Sequence, residues 1–266
     1  MSRKLILCAC LFLAACKKST TTPAYNYDPV IAAYLSPDIP LSLTLSHQSA
    51  TGSDSFNAPP LDSLNLVVSV GDSSYILRPL GGGVYADSVL YLQAGASVGL
   101  RFVYNNKVVT ASTVIPPRPV DFAQDASALS VEKVTADTQP ARPGEEAAIT
   151  FTWDNTEGAY YMIVVQNLES SPERIIDTSV TNIDTNRRFR TRPEITDTYE
   201  LSARSFTYFG YHRVILYRLN ADYAYLYLNT NSNSQNLYTP SNGISNGVGI
   251  FTGINADTLY VQVNKG

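Results

Sequence analysis

The residues that could do chemistry in this chain are few, and their positions restrict what that chemistry is. All three cysteines, Cys8, Cys10 and Cys16, lie near the N-terminus. The remainder of the chain therefore has no disulfide, no thiolate nucleophile and no cysteine ligand for a metal. The two histidines, His47 and His212, are far apart in sequence and lie in no ligand spacing. This is typical of strand or surface histidines rather than of a zinc site.

Hydrolysis is the least favoured activity. A serine hydrolase needs a serine, a histidine and a carboxylate brought together, and the chain has no Gly-x-Ser-x-Gly. Paired carboxylates for glycoside cleavage would come from Asp154, Glu157 or residues 145–146, which fall in predicted turns where acidic residues are expected. We therefore predict a protein that is not an enzyme and that has no metal or organic cofactor.

Cys16 has the most specific context. Arg3 and Lys4 precede an apolar run over 5–15, which has the length of a signal-peptide core and falls short of the roughly 20 residues of a spanning helix. The segment "LAAC" resembles a bacterial lipobox, in which the cysteine is acylated, with palmitate-like chains, and becomes the mature N-terminus. We predict a signal peptide at 1–15 and membrane lipid as the partner of Cys16, since each buried methylene contributes about 0.8 kcal/mol.

The lipidated cysteine and a flexible tether are predicted at 16–26, because this stretch is polar and rich in Ser and Thr. Lys17 follows the cysteine where an acidic residue would favour the inner membrane. The expectation is therefore an outer-membrane protein, with the periplasmic and the surface face both left open. The precursor has a net charge of −4, which becomes −6 without Arg3 and Lys4. With no basic stripe, nucleic acid is not an expected partner.

The secondary-structure elements that would position any functional site are predicted to be β-strands. Short alternating segments rich in Tyr and Val, separated by turn residues, are the all-β pattern. "RPLGGGVYAD" is predicted as a loop, and Asn105 with Asn106 as a two-residue hairpin. About seven strands and no helix predict an immunoglobulin-like or transthyretin-like β-sandwich over 27–115. Its strands are predicted at 30–35, 41–46, 64–70, 75–77, 89–92, 97–104 and 107–114.

A Pro-rich linker at 116–119 precedes a second domain over 120–266, since proline cannot donate to a sheet. Strands are predicted in "VEKVTA", "AAITFTWDN", "AYYMIVVQNL", "TYELSARSF" and "HRVILYRL". Alternation places Ile149, Phe151 and Trp153 on one face, which indicates core packing. The pattern predicts a fibronectin III-like sandwich, in tandem with the first, and an extended C-terminal segment with a strand at 258–263.

Two late segments have a less regular pattern. Residues 220–231 fit either a strand or a helix capped by Asn220, and the helix is favoured because three tyrosines on one strand face would need cover. "NGVG" at 246–249 is not a dinucleotide fingerprint, since no helix or acidic residue follows. Glycines that let two backbones approach closely are the expected explanation.

Aromatic residues cluster between residues 208 and 223. They are the candidate contacts for a ligand or partner, together with Arg213 or Arg204. The segment "SFTYFGYHR" is predicted as a loop at the rim of the domain. Tyrosine stacks on flat ligands and is enriched at interfaces, although half-buried strand faces also use it freely. The cluster consists of Tyr208, Phe209, Tyr211, Tyr217 and Tyr223.

The whole chain after the signal resembles a domain-of-unknown-function family of Bacteroidota outer-membrane lipoproteins. The features that carry the resemblance are the lipobox, "PVIAAYLSP", "ASTVIPPRPV", the tryptophan strand with "YY" after it, and "NGISNGVGIFTG", whose asparagine-to-glycine spacing matches only loosely. Members are commonly encoded beside TonB-dependent receptors. The resemblance implies an accessory of an outer-membrane transporter and carries over no catalytic or ligand residue.

Three functions follow as hypotheses. The favoured one is a non-enzymatic lipoprotein that captures a glycan, peptide or metal chelate for a TonB-dependent receptor. A structural or adhesion lipoprotein that binds envelope glycan or protein is the alternative, and a hydrolase is the third. A concave pocket would favour capture, and a large flat aromatic surface would favour adhesion.

Overall fold

The computed structural model describes residues 28–48, 58–137, 148–177, 189–228 and 243–266. Cys16, the signal peptide and the tether lie outside the described residues. Within them, no helix has the length and hydrophobicity to cross a membrane.

The described chain is almost entirely β-structure, which confirms the predicted all-β class. A short 3-10 helix occupies Ala203–Ser205, and one α-helix, α1, occupies Ala221–Leu228. The strands are β1 Val30–Leu35, β2 Ser42–Ser46, β3 Val67–Val70, β4 Ser73–Ile76, β5 Arg78–Gly81, β6 Val84–Ala86, β7 Ser97–Tyr104, β8 Lys107–Val114, β9 Val120–Gln124, β10 Ala128–Val131, β11 Ala148–Asp154, β12 Tyr160–Asn167, β13 Thr198–Ser202, β14 Gly210–Leu219 and β15 Val248–Lys265.

One large sheet runs through both halves of the chain. Its strand order is β12-β14-β15-β1-β2-β6-β5, with β10 also paired to β15. A four-stranded sheet, β4-β3-β7-β8, and a three-stranded sheet, β13-β11-β9, complete the structure. Each small sheet packs against a different part of the large sheet, so the structure contains two sandwich-like arrangements that share the large sheet.

The first hydrophobic cluster lies between the four-stranded sheet and the β1-β2-β6 part of the large sheet. Alternate residues of β1, such as Ile31 and Leu35, point into it together with Phe102 of β7. Tyr85 is fully buried there and keeps its hydroxyl satisfied: it donates to the carbonyl oxygen of Leu61 at 2.9 Å and accepts from the N–H of Leu64 at 3.0 Å. This cluster ends at Ile115 in sequence, except for Phe251.

The second hydrophobic cluster lies between the three-stranded sheet and the β12-β14-β15 part of the large sheet. Trp153 is 5% exposed, and its ring lies 5.5 Å from that of Tyr161 on the facing strand. The prediction that Trp153 packs in a core with Ile149 and Phe151 is confirmed. The division into domains at 116–119 stays a prediction, although the two clusters lie on either side of it.

Strand β15 is shared between the two halves. Its first six residues pair in parallel with β1, and the next ten pair antiparallel with β14. Glycine is required where these backbones meet: a Cβ at Gly249, whose φ is +115°, would lie 2.1 Å from the carbonyl oxygen of Ile31. The expected close approach of backbones at this segment is confirmed. The predicted domain boundaries place 248–253 only in the second domain, whereas these residues pair with β1 of the first half.

Several local predictions are wrong. Residues 89–92 form no strand, because Val89 and Leu90 belong to a turn in which the N–H of Val89 binds the Asp87 carboxylate at 3.0 Å. The segment predicted as a loop at 78–87 contains β5 and β6, which form an irregular hairpin around Gly81–Gly83. The strand β9 follows the Pro-rich segment at once and was not predicted. At 89–92 the apolar residues suggested a strand, whereas at β5, β6 and β9 nearby Gly and Pro residues concealed strands that long-range sheet pairing forms.

Other local predictions are confirmed. Asn105 and Asn106 form the β7–β8 turn with φ of +48° and +61°, which asparagine tolerates. Residues 221–228 are helical, as favoured. The Asn220 side chain donates across to β8, to Thr113 Oγ1 at 3.1 Å and to the Val114 carbonyl oxygen at 2.9 Å. The helix is therefore tied to the first half of the chain.

Candidate functional site

The candidate site lies on the face of the large sheet that points away from the second hydrophobic cluster. On this outer face, β12 presents Met162, Val164 and Gln166, while its alternate residues point to the core. Helix α1 covers part of this face. The helix is held there by Tyr223, which is 8% exposed, and by Asp222, whose carboxylate accepts from Thr252 Oγ1 at 3.2 Å.

Beside the helix lies a concavity of about 410 Å³, here named the tyrosine recess. Sheet residues form its floor, Tyr34 and Tyr223 form one wall, and residues 189–190 form the other. This last wall exists because the backbone of 189–194 pairs along the edge of β12. The recess is lined by Tyr34, Met162, Val164, Gln166, Phe189, Arg190, Tyr217, Leu219, Tyr223 and Ile254.

Aromatic contacts shape the recess. The rings of Tyr34 and Tyr223 meet edge to face with centroids 5.5 Å apart, a favourable arrangement for π-systems. Tyr34 is 42% exposed, so part of its ring remains accessible beside the cavity. Farther along the helix, Tyr160 and Tyr225 meet edge to face at 6.1 Å.

Polar groups are few and lie toward one side of the recess. Arg213 Nε donates to Gln166 Oε1 at 2.6 Å, which holds both side chains on the outer face. Burial raises the pKa of the Tyr217 hydroxyl, while the charge of Arg213 lowers it and that of Asp38 raises it. Among the residues that the structure describes, none forms a hydrogen bond with the Tyr217 hydroxyl, whose raised pKa lies above the neutral range. Its phenol therefore stays protonated and can donate to a ligand.

A second concavity, of about 600 Å³, lies at the C-terminal end of β12 and is named the histidine cleft. Its lining is mainly polar and includes Asn167, Glu169, Ser205, Thr207, Tyr208 and His212. His212 is 1% exposed. Its Nδ1 lies 3.0 Å from the Gly210 carbonyl oxygen and its Nε2 lies 3.1 Å from the Asn167 amide nitrogen.

These contacts fix the state of His212. A carbonyl oxygen only accepts, so Nδ1 carries the proton and Nε2 accepts from the amide. Burial lowers the pKa of His212, although the bond to Gly210 and the charge of Glu169 act in the opposite sense. Both nitrogens of the neutral ring are in use, so neither is available as a general base.

The structure separates the aromatic residues that the sequence grouped together. Tyr217 and Tyr223 line the tyrosine recess, and Arg213 lies at its margin. Phe209 is 7% exposed within the second cluster and serves packing. Tyr208 lines the histidine cleft, with the Arg174 guanidinium carbon 5.8 Å from its ring centroid.

Tyr211 lies on the outer face beyond the recess. Its ring stacks on that of Tyr260 with centroids 5.3 Å apart and an interplanar angle of 2°. The segment predicted as a rim loop, 205–213, is irregular through Phe209 and becomes strand β14 at Gly210. Arg204 lies in the 3-10 helix and is not among the described residues that line the tyrosine recess or the histidine cleft.

Sequence reasoning missed Tyr34, Arg190 and the floor of the recess. The alternation of β1 places Tyr34 on an exposed face, which was a readable signal, but its proximity to Tyr223 depends on the parallel pairing of β1 with β15. In the described ranges, no group of three or more His, Cys, Asp or Glu side chains could hold a metal ion.

Comparison with known proteins gives a family and little else. A family model described as a domain of unknown function (DUF4249) matches residues 24–259. No curated protein matches the chain. Among solved structures, the crystal structure of chicken CNTN1 FN1-FN3 domains is similar with a TM-score of 0.28 and 9% identity, over 90% of this chain and 68% of that one.

Proposed function

The chain belongs to the family described as a domain of unknown function (DUF4249), and we propose that this member is a non-enzymatic outer-membrane lipoprotein. It captures a small ligand in the tyrosine recess and passes it to a TonB-dependent transporter. The membrane and transporter parts of this proposal are supported by the lipobox at Cys16 and by the resemblance to lipoproteins encoded beside such receptors.

The observation that carries ligand capture is the recess itself. Its volume of about 410 Å³ falls in the range of roughly 300–1,000 Å³ that is usual for small-molecule sites. Apolar and aromatic side chains dominate its lining, and a few polar groups lie at one side, which is the usual composition of a binding pocket. Strands and a docked helix support these side chains, so the site is largely preformed.

A non-catalytic role is supported by the state of the histidine cleft. His212 has both ring nitrogens in hydrogen bonds, and the Glu169 carboxylate accepts from the N–H of Tyr211 at 2.8 Å. Each group has a structural partner that explains its presence.

Membrane attachment is tested with Cys16→Ser. Without the acyl chains, the protein is expected to leave the membrane fraction while its circular dichroism remains that of a β-protein. A variant that still pellets with outer membranes after a salt wash would contradict the anchor.

The transporter partner is tested by affinity isolation from gently solubilised outer membranes, with the tag at the C-terminus. A TonB-dependent receptor recovered in a constant ratio to the protein is the expected result. Untagged cells and the Cys16→Ser variant serve as controls. Recovery of envelope polysaccharide without a receptor would contradict the transporter part.

The stacked pair of Tyr211 and Tyr260 favours a second candidate function, adhesion. These rings are 43% and 46% exposed and form a flat aromatic surface outside the recess, and aromatic faces stack on sugar rings. A structural lipoprotein that binds envelope glycan would use this surface. Loss of glycan binding in Tyr211→Ala, with Tyr217→Ala unaffected, would favour it.

A further inference from the structure

The chemistry of the tyrosine recess indicates the class of ligand it takes. Its floor is apolar, formed by Met162, Leu219 and Ile254. Tyrosine rings border this apolar part of the lining, at Tyr217 in the sheet and at Tyr223 in the helix. Rings of this kind stack face to face or edge to face on other π-systems. A planar aromatic body therefore suits the recess better than a branched or highly hydroxylated one.

Positive charge lies at one side of the recess. Arg190 lines it directly, and Arg213 lies close enough for its charge to act on the Tyr217 hydroxyl. In the described part of the chain, Arg213 forms no ion pair. Guanidinium groups bind carboxylates through paired, charge-assisted hydrogen bonds and also stack on aromatic rings.

The opposing charge is Asp38, which also acts on Tyr217. Asp38 also acts on Arg118, whose pKa is raised mainly by the hydrogen bond to Asp257 and further by the charge of Asp38. Arg190 in the lining and Arg213 beside Gln166 thus place two guanidinium groups at the recess. The protonated Tyr217 hydroxyl adds a neutral donor on the same side.

We infer that the tyrosine recess binds a planar aromatic molecule that carries an anionic group. The aromatic body packs over Met162 and Leu219 between the tyrosine rings, and the anion accepts hydrogen bonds from Arg190, Arg213 and the Tyr217 hydroxyl. This inference rests on ligand capture as the proposed function and specifies the ligand.

The test is titration calorimetry on the full chain with three matched probes. The probes are 2-naphthoate, the neutral 2-naphthylmethanol, and cyclohexanecarboxylate, which is anionic but not aromatic. We expect 2-naphthoate to bind about tenfold more tightly than either other probe, because only it satisfies both the rings and the arginines. Equal binding of the acid and the alcohol, or absence of binding by all three, would overturn the inference.

Variants assign the effect to the recess. The double variant Arg190→Gln with Arg213→Gln should abolish the preference for the acid over the alcohol, and Tyr217→Phe should weaken 2-naphthoate severalfold. Arg101→Gln, an exposed cation of β7 in the other half of the molecule, and Tyr211→Phe, on β14 outside the recess, are the controls and should bind as the parent does. If the double variant still preferred 2-naphthoate to 2-naphthylmethanol, the assignment of the binding site to the tyrosine recess would be wrong.

The two proposals fail separately. Recovery of a receptor by affinity isolation, with no binding of 2-naphthoate, would leave the transporter role standing and remove this ligand class. Selective binding of 2-naphthoate, with no receptor recovered, would leave the site standing and remove the transporter.

Discussion

The two concavities beside β12 differ in what their polar groups already do. In the histidine cleft, Asn167 donates to Phe209 and His212 and accepts from the N–H of Glu169 at 3.0 Å. In the tyrosine recess, the side chains meet mainly through ring edges and apolar contacts. The larger and more polar cavity is therefore the less suited to a ligand, because its hydrogen-bonding capacity maintains the fold.

This comparison teaches that volume and polarity alone do not identify a site. A buried polar group contributes to ligand binding only if the fold leaves one of its hydrogen-bond donors or acceptors unused. The comparison also predicts different consequences of mutation. Substitutions in the histidine cleft should reduce the stability of the protein, and substitutions in the tyrosine recess should reduce ligand binding.

The largest expected effect is that of Asn167→Leu. This change leaves the Nε2 atom of buried His212 and the carbonyl oxygen of Phe209 without the amide that now binds them. An unsatisfied buried group costs about 1–3 kcal/mol, so the free energy of unfolding should fall by about 2–3 kcal/mol in urea denaturation.

The matched control is Gln166→Leu, the same change one residue earlier on the opposite face. Gln166 accepts one exposed hydrogen bond from Arg213, so its loss should cost less than about 1 kcal/mol. Equal destabilisation by the two variants would break the distinction between cleft and recess.

The second prediction concerns pH. Because the pKa of His212 is lowered in the folded state, the unfolded chain takes up this proton first as pH falls. The stabilisation is complete above the ordinary histidine pKa of about 6.5 and is lost as pH falls below it toward the folded pKa. The slope for one proton is at most about 1.4 kcal/mol per pH unit.

The measurement is the free energy of unfolding between pH 7.5 and 5. The parent should lose stability below pH 6.5, and His212→Gln, which does not titrate, should lose less over the same interval. If the parent and His212→Gln lost stability equally as pH falls, His212 would not cause the pH dependence. That result would contradict a structural role for the histidine cleft.

The smallest expected effect on stability is that of Tyr217→Phe. Since no described residue bonds to this hydroxyl, its removal should change the free energy of unfolding by no more than about 0.5 kcal/mol. Tyr85→Phe is the contrast, because it removes a hydroxyl with two partners in the first cluster and should cost about 1–3 kcal/mol. A large loss in Tyr217→Phe would mean that the recess, too, is maintained for stability.

The sequence alone predicted those features of the fold that depend on the local pattern of residue types. Alternation fixed the faces of β11 and β12, and asparagine chemistry located the β7–β8 turn. The pairing of β1 with β15 was beyond reach, because no local feature of either strand specifies a partner so distant in the chain. The hairpin of β5 and β6 was missed because its glycines are typical of loops as well.

The same division applies to the candidate site. Tyr217 and Tyr223 were found because aromatic residues cluster in that stretch. Tyr34 and Arg190 were missed, since they reach the recess only through long-range contacts: the β1–β15 pairing and the backbone bonds of 189–194 to β12. Phe209 and Tyr211, neighbours in sequence, were separated because the chain changes from an irregular segment to a strand between them.

The shared strand β15 also determines the order in which the molecule can fold. Val30 emerges early in synthesis, yet its parallel partner is Val248. The chain between them must be closed before this pairing contributes any stability, and loop closure of that length is entropically costly. Contacts so distant in sequence are associated with slow folding. Until β15 arrives, the free edge of β1 can pair with other chains. The half of the protein that is made first is therefore completed only after nearly the whole chain has been made.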